Sequence, residues 1–219
     1  MASITDIQGA LSSLIELDAK LKNTYMSVPH SPEVEMMVGL NRSYLRAFRH
    51  MYDAHRTKDM ALSAWAARNL IELSIWTKYL LISAENRQRF CADFEMDMHE
   101  CAKAVIEASN QAGLNVAELS GDMANHHKLA YKISLDKPKI GDNGHLQIRE
   151  VARLLELESK LTGIYKMVSK LSHATALSVV SDQDEEVSAK VTWIFLEFGY
   201  GIIGEYAGEL EKRNQALKP

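Results

Sequence analysis

Two short stretches carry side chains whose types and spacing suit a polar site. In Ala67-Arg68-Asn69-Leu70-Ile71-Glu72 a guanidinium and a carboxylate stand four residues apart, the spacing that stacks them on one face of a helix. In the run from Tyr165 to His173, the side chains of Tyr165, Ser169 and Ser172 fall within about 60° of helical arc, and His173 lies roughly 80° from Tyr165. An arginine clamps carboxylate or phosphate oxygens through paired N–H donors, and a histidine moves a proton near neutral pH. If the two helices face each other, Arg68, Glu72, Tyr165, Ser172 and His173 form a pocket for a small anionic or nucleotide-like ligand. Arg68 would then be the clamp and His173 the proton shuttle. The same residues also read as structural cement, in which Glu72 holds Arg68 and the hydroxyls satisfy what remains. Removing one partner of such a buried pair costs ~3–5 kcal/mol. Neither reading calls for a metal or a cofactor.

The element that must hold the first stretch is Met60 to Ile82, which is apolar almost all the way round and is therefore expected to be a buried helix. Trp65 and Trp76 flank its polar stripe. Before it, a helix over 5–26 carries an apolar stripe of Leu11, Leu14, Ile15, Leu17 and Leu21. A second helix starts at Ser31-Pro32-Glu33, where Ser31 can cap, Pro32 suits the first turn and Glu33 favours the dipole, and it runs to about Arg56. After the long helix, Phe90, Phe94, Met98, Cys101, Val105 and Ala108 alternate spacings of three and four, the pattern of a packing seam that Gly113 closes. A weaker helix is expected from Val116 to Tyr131, then a long loop over 135–144. Brief alternation on either side of that loop allows a short hairpin. Val151 to Tyr165 then reads as one helix continuing to His173. The last helix follows the cap-like Ser181-Asp-Gln-Asp184; its buried side is expected at Val191, Ile194, Phe195, Phe198, Ile202 and Tyr206. Gly201, Gly204 and Gly208 should let a neighbour pack closely there.

These elements predict an all-α bundle of six or seven principal helices in a single domain over 1–219, with the 5–26 helix a candidate for its periphery. The 219 residues, 47% hydrophobic and 25% charged, are enough to bury a core without staples. A net charge of −4 gives no overall pull towards nucleic acid or an anionic membrane. Cys91 and Cys101 have no neighbours at zinc-site spacing, so they read as reduced thiols packed in a helix. A cytoplasmic location is the simplest expectation, because the first residues lack a basic leader and no apolar run is long enough to span a membrane. Adjacent His126 and His127 point about 100° apart on a helix and do not converge on one metal.

One surface feature stands apart. Arg42, Arg46, Arg49 and Arg56 lie within about 80° of arc on the second helix, interrupted by Asp53. The stripe is either a solvated face or a contact for RNA, whose affinity would fall as salt rises. No Walker loop, dinucleotide glycine pattern, nucleophile elbow or zinc-protease signature is present, and di-iron Glu-x-x-His pairs are missing.

The ARNLIE stretch together with YKMVSKLSHAT resembles an uncharacterised bacterial all-helical family with an Arg-x-x-x-Glu helix and a C-terminal Tyr/Ser/His stretch, over roughly residues 40 to 210. That resemblance implies an all-helical fold with no assigned activity. More distantly, Arg49-His-Met-Tyr-Asp-Ala-His55 is similar to the Arg-to-His spacing in nucleotide-binding helical domains of bacterial defence systems. There the resemblance implies a metal-independent ribonuclease, with His55 as acid or base and Arg49 stabilising phosphate charge. The chain thus reads first as a ligand-binding or regulatory module. The alternatives are a ribonuclease of that type and a structural bundle that homodimerises through its glycine-bearing last helix.

Overall fold

The computed structural model describes residues 3–27, 32–113, 146–173 and 184–216. Among them every regular element is helical: α1 (Ile4–Ser27), α2 (Pro32–Thr57), α3 (Met60–Ile82), α4 (Ala84–Gln111), α5 (Ile148–Leu154), a 3-10 turn (Glu158–Leu161), α6 (Ile164–Leu171) and α7 (Glu185–Ala216). The protein is all-α. No helix among the described residues is long and apolar enough to cross a membrane. The expected helix from Val116 to Tyr131, the paired His126 and His127, the loop over 135–144 and its hairpin, and the caps at Ser31 and Ser181 lie outside the described residues.

By their contacts the residues divide into two compact units, Met1–Thr77 with Ala152–Pro219, and Lys78–Val151. In the first unit the centre is Tyr44, Phe48 and Met51 of α2, Leu70, Ile71 and Ile75 of α3, and Phe195 and Leu196 of α7, all buried. Helix α1 is packed into this unit through Ile7 and Leu14, and the buried Asn41 amide donates to the Leu14 carbonyl at 3.3 Å. Its apolar stripe is centred on those two residues, and Ile15 is exposed. Lys58 takes a positive φ of 59°, and the Asp59 carboxylate accepts from the Leu62 amide at 2.8 Å, capping α3.

Helix α7 is capped by Asp184, which accepts from the amides of Glu186 and Val187. Its buried side runs through Thr192, Phe195, Leu196, Ile202, Ile203, Tyr206 and Leu210. The expected stripe was therefore rotated: Ile194 is 51% exposed, because the line of closest approach runs through Gly199 and not through the three later glycines. An ideal Cβ on Gly199 would stand 2.6 Å from Met51 Sδ, whereas one on Gly201, Gly204 or Gly208 meets nothing within 4 Å. Close packing at those three glycines is not what the fold uses.

Two aromatic rings anchor α2 to α7. Tyr44 and Tyr206 stack with centroids 3.9 Å apart, and the Tyr44 hydroxyl bonds Thr77 Oγ1 at 3.0 Å. The Tyr206 hydroxyl is buried with no hydrogen-bond partner. A buried polar group without a partner costs about 1–3 kcal/mol. Tyr206→Phe, which keeps the stack and removes that hydroxyl, is expected to leave stability unchanged or raise it by about 1 kcal/mol, as read from urea unfolding. A loss of stability would show that the hydroxyl is satisfied.

The run from Val151 to His173 is not one helix. It breaks where Glu156 (φ 56°) and Gly163 (φ 60°) take left-handed conformations, and the 3-10 turn lies between them. Positive φ ends helical propagation, and Gly163 adopts it without a Cβ penalty. The break frees α6 to bury Tyr165, Val168 and Leu171 on its own axis.

In the second unit, Ser83 caps α4 by accepting from the Asn86 amide at 3.0 Å. The Asn86 and Arg87 side chains donate to the carbonyls of Tyr79 and Leu80, closing the α3–α4 corner. Gly113, at φ 69°, follows the end of α4 as expected. The seam does not: Phe94 is 54% exposed and Val105 is exposed with it, while among the described side chains of α4 it is Ala92 and Ala102 that are buried. Cys91 is half-buried and Cys101 exposed, so a packed thiol is not what Cys101 is.

Candidate functional site

The two polar stretches meet within the first unit. Arg68 and Glu72 stand one turn apart on α3, and the Arg68 Nε–H donates to Glu72 Oε1 at 2.9 Å. Helix α6 brings Tyr165 to the same oxygen, with its hydroxyl donating at 2.8 Å. His173, just beyond the end of α6, places Nε2 3.1 Å from Arg68 Nη1. A guanidinium only donates, so this bond requires the imidazole to accept at Nε2 and to carry its proton at Nδ1. The Arg68 guanidinium also lies 5.7 Å from the centroid of the Tyr165 ring, within cation–π range.

Ser172 stays out of the cluster. Its hydroxyl turns back to the Ser169 carbonyl at 3.3 Å, and its backbone closes α6. A residue at a helix C-terminus has a free carbonyl of its own turn within reach, which competes successfully for a short hydroxyl. Four of the five side chains expected at this site are thus brought together.

The cluster is a rim, not an interior network. The side chains of Arg68 and Glu72 are 33% and 26% exposed, Tyr165 is buried and His173 is exposed. The Arg68 guanidinium is held above its usual pKa, first by its hydrogen bond to Glu72, with burial opposing and the Glu72 charge assisting. Burial raises the Tyr165 phenol, and the hydrogen bond and charge of Glu72 raise it further. Both shifts fix the protonation states that the geometry needs: a charged guanidinium and a neutral phenol donor. The bonds to Glu72 and His173 use two of the five guanidinium N–H groups, so donors remain for a ligand oxygen at the exposed edge.

No family model matches the chain, and no curated protein or solved structure matches it.

The other sequence-level candidates are placed differently. Arg42, Arg46, Arg49 and Arg56 are all exposed on α2, and Arg42 pairs with Asp18 at 3.4 Å. Trp65 is exposed beside them and meets His50 edge-on, with centroids 5.7 Å apart. His55 turns the other way, towards α7. Its Nδ1 lies 3.2 Å from the buried Thr192 hydroxyl and its ring lies 5.2 Å from that of Trp193, while desolvation depresses its pKa. The partners of His55 are therefore Thr192 and Trp193, not Arg49. Among the described residues no group of His, Cys, Asp and Glu is arranged to hold a metal ion.

Sequence reasoning missed a cavity of about 410 Å³ beside this site, lined by α3, the segment from Ser159 to Ile164, and α7. None of the four clustered side chains lines it, though Ile71 and Ile164, the chain neighbours of Glu72 and Tyr165, do. The signal that could have found it was Thr162-Gly163, where Gly163 breaks the expected helix beside Thr162, a residue that lines the cavity.

Proposed function

We propose that the protein is a ligand-binding or regulatory module that takes a small nucleotide-like anion at the Arg68–Glu72–Tyr165–His173 cluster. The observation that carries this reading is the fixed yet accessible guanidinium: Nε is tied to Glu72, Nη1 meets His173, and the group is a third exposed. Side chains held this way lose little entropy on binding. Glu72 cancels much of the positive charge, so recognition must rest on hydrogen-bond geometry more than on net attraction. A ligand suited to the rim presents an anionic oxygen to Arg68 and an N–H or O–H donor to the Glu72 carboxylate. Nucleotide-like molecules offer both. The ribonuclease reading stands behind this one, since His55 is turned onto Thr192.

Titration calorimetry with nucleoside monophosphates and with inorganic phosphate tests the proposal. Saturable binding of at least one nucleotide is expected, weakened roughly tenfold or more in Arg68→Lys, which keeps the charge but loses the planar fork. Unchanged far-UV circular dichroism would show that the fold survives. The absence of binding across the panel, or full binding by Arg68→Lys, would sink the idea.

A further inference from the structure

We infer that the ligand of the Arg68 cluster is a nucleotide with an intact aromatic base, purine before pyrimidine, and that Trp65 is the platform on which the base stacks. This rests on the reading of the cluster as an anion site. Trp65 stands three residues before Arg68 on α3, so the two side chains rise from one helix surface about 60° apart, with their Cβ atoms roughly 5–6 Å from each other. The indole is 42% exposed, although tryptophan gains more from burial than most side chains do. Its one aromatic neighbour among the described residues is His50 of α2, which meets it edge-on with centroids 5.7 Å apart. A T-shaped contact engages at most one of the two indole faces, so α2 braces the ring and leaves ring surface for a base.

The order of groups along α3 suits a nucleotide. Trp65 and Glu72 are seven residues apart and lie within about 20° of one another on the helix, with Arg68 between them and to one side. A base over Trp65 directs the ribose hydroxyls towards the Glu72 carboxylate, which accepts their O–H, and the phosphate towards the Arg68 donors that Glu72 and His173 do not use. A sugar phosphate makes the last two contacts and leaves the indole bare. Because Glu72 offsets much of the guanidinium charge, the polar contacts supply orientation and stacking supplies a large share of the affinity. The wider face of a purine gains more from stacking than that of a pyrimidine.

The test titrates the full-length chain with adenosine 5′-monophosphate, uridine 5′-monophosphate and ribose 5-phosphate, which share ribose and phosphate and differ in the base. Calorimetry reads affinity, and NMR follows the indole N–H signals of the three tryptophans. The adenine nucleotide is expected to bind at least about tenfold tighter than the sugar phosphate, with the uracil nucleotide between them. It should also move the Trp65 signal, identified by its loss in Trp65→Phe, through the ring current of the stacked base. Trp65→Ala brings both nucleotides down to the level of the sugar phosphate and leaves the sugar phosphate unchanged, whereas Trp65→Phe keeps a preference for the nucleotides. Should Trp65→Ala fail to fold, the Trp65 signal and the Trp65→Phe comparison carry the test. Equal affinity for all three probes, each weakened by Arg68→Lys, overturns the stacking and leaves the anion site standing. So does an unmoved Trp65 signal, a preference for the uracil nucleotide, or an undiminished nucleotide preference in Trp65→Ala. Binding of none of the probes, or full binding by Arg68→Lys, overturns the stacking and the anion site together.

Discussion

Gly199→Leu is expected to lower stability by about 3 kcal/mol, while Gly201→Ala, two residues further along the same helix, is expected to raise it by up to about 1 kcal/mol. The first substitution drives a side chain into a space already filled. A Cβ at 199 would lie 2.6 Å from Met51 Sδ and 3.1 Å from Leu70 Cδ1, and both of those residues are fully buried. A thioether yields more easily than backbone does, but here it has no solvent to retreat into, so the cost falls on the whole α2–α3–α7 contact. The second substitution adds a methyl to open space and removes the conformational entropy that glycine loses on entering a helix. Thermal melts followed by circular dichroism should separate the pair. A fall of roughly 6–12 °C is expected for Gly199→Leu and a small rise for Gly201→Ala. Equal effects would mean that α7 does not approach α2 through Gly199.

Alkaline pH is expected to unfold the protein steeply, because buried tyrosines resist ionisation. Burial is the first cause of the raised pKa of both Tyr44 and Tyr206, and each starts from an ordinary phenol value of 10.0. The hydroxyl bond from Thr77 partly offsets the shift at Tyr44. In the unfolded chain these phenols lose their protons near pH 10, while in the folded protein they keep them. Their contribution is therefore whole below pH 10 and is lost as the pH climbs from there towards the folded values. Each such group removes about 1.4 kcal/mol of stability per pH unit over that window, and the two together roughly 3 kcal/mol. Tyr79 and Tyr165 are shifted the same way. Urea unfolding between neutral pH and about pH 11 reads the slope, and Tyr206→Phe should remove one of the two large contributions. A flat profile would mean that the phenols ionise within the folded protein.

Much of the helical framework was legible because it depends on local chemistry. Met60–Ile82 was readable at both ends from the extent of its apolar run, and the structure adds that Asp59 caps the start. The pairing of Arg68 with Glu72 also follows from local spacing. Their meeting with Tyr165 and His173 was conditional on α6 facing α3, and the structure supplies that condition. Apart from the break at Glu156 and Gly163, which interrupts the helix expected over 151–173, the reading failed on direction. Periodicity gave α7 its stripe but not its rotation, because apolar residues on two sides of the helix satisfy the same period and only Gly199 against Met51 selects between them. The α4 seam shows the same limit: regular spacing of Phe94 and Val105 indicates a surface able to pack, not one that has a partner.

By itself, then, the sequence determined the helical class, the principal starts and stops, and the spacing that puts Arg68 over Glu72, all set by interactions within a turn or two of chain. Only the tertiary structure decided that Ser172 turns away, that His55 is spent on Thr192, that the Arg68 cluster is a solvent-accessible rim, and that a groove opens beside it. Those outcomes depend on which helix faces arrive opposite one another, and that is fixed by close packing of the whole core, not by any single segment.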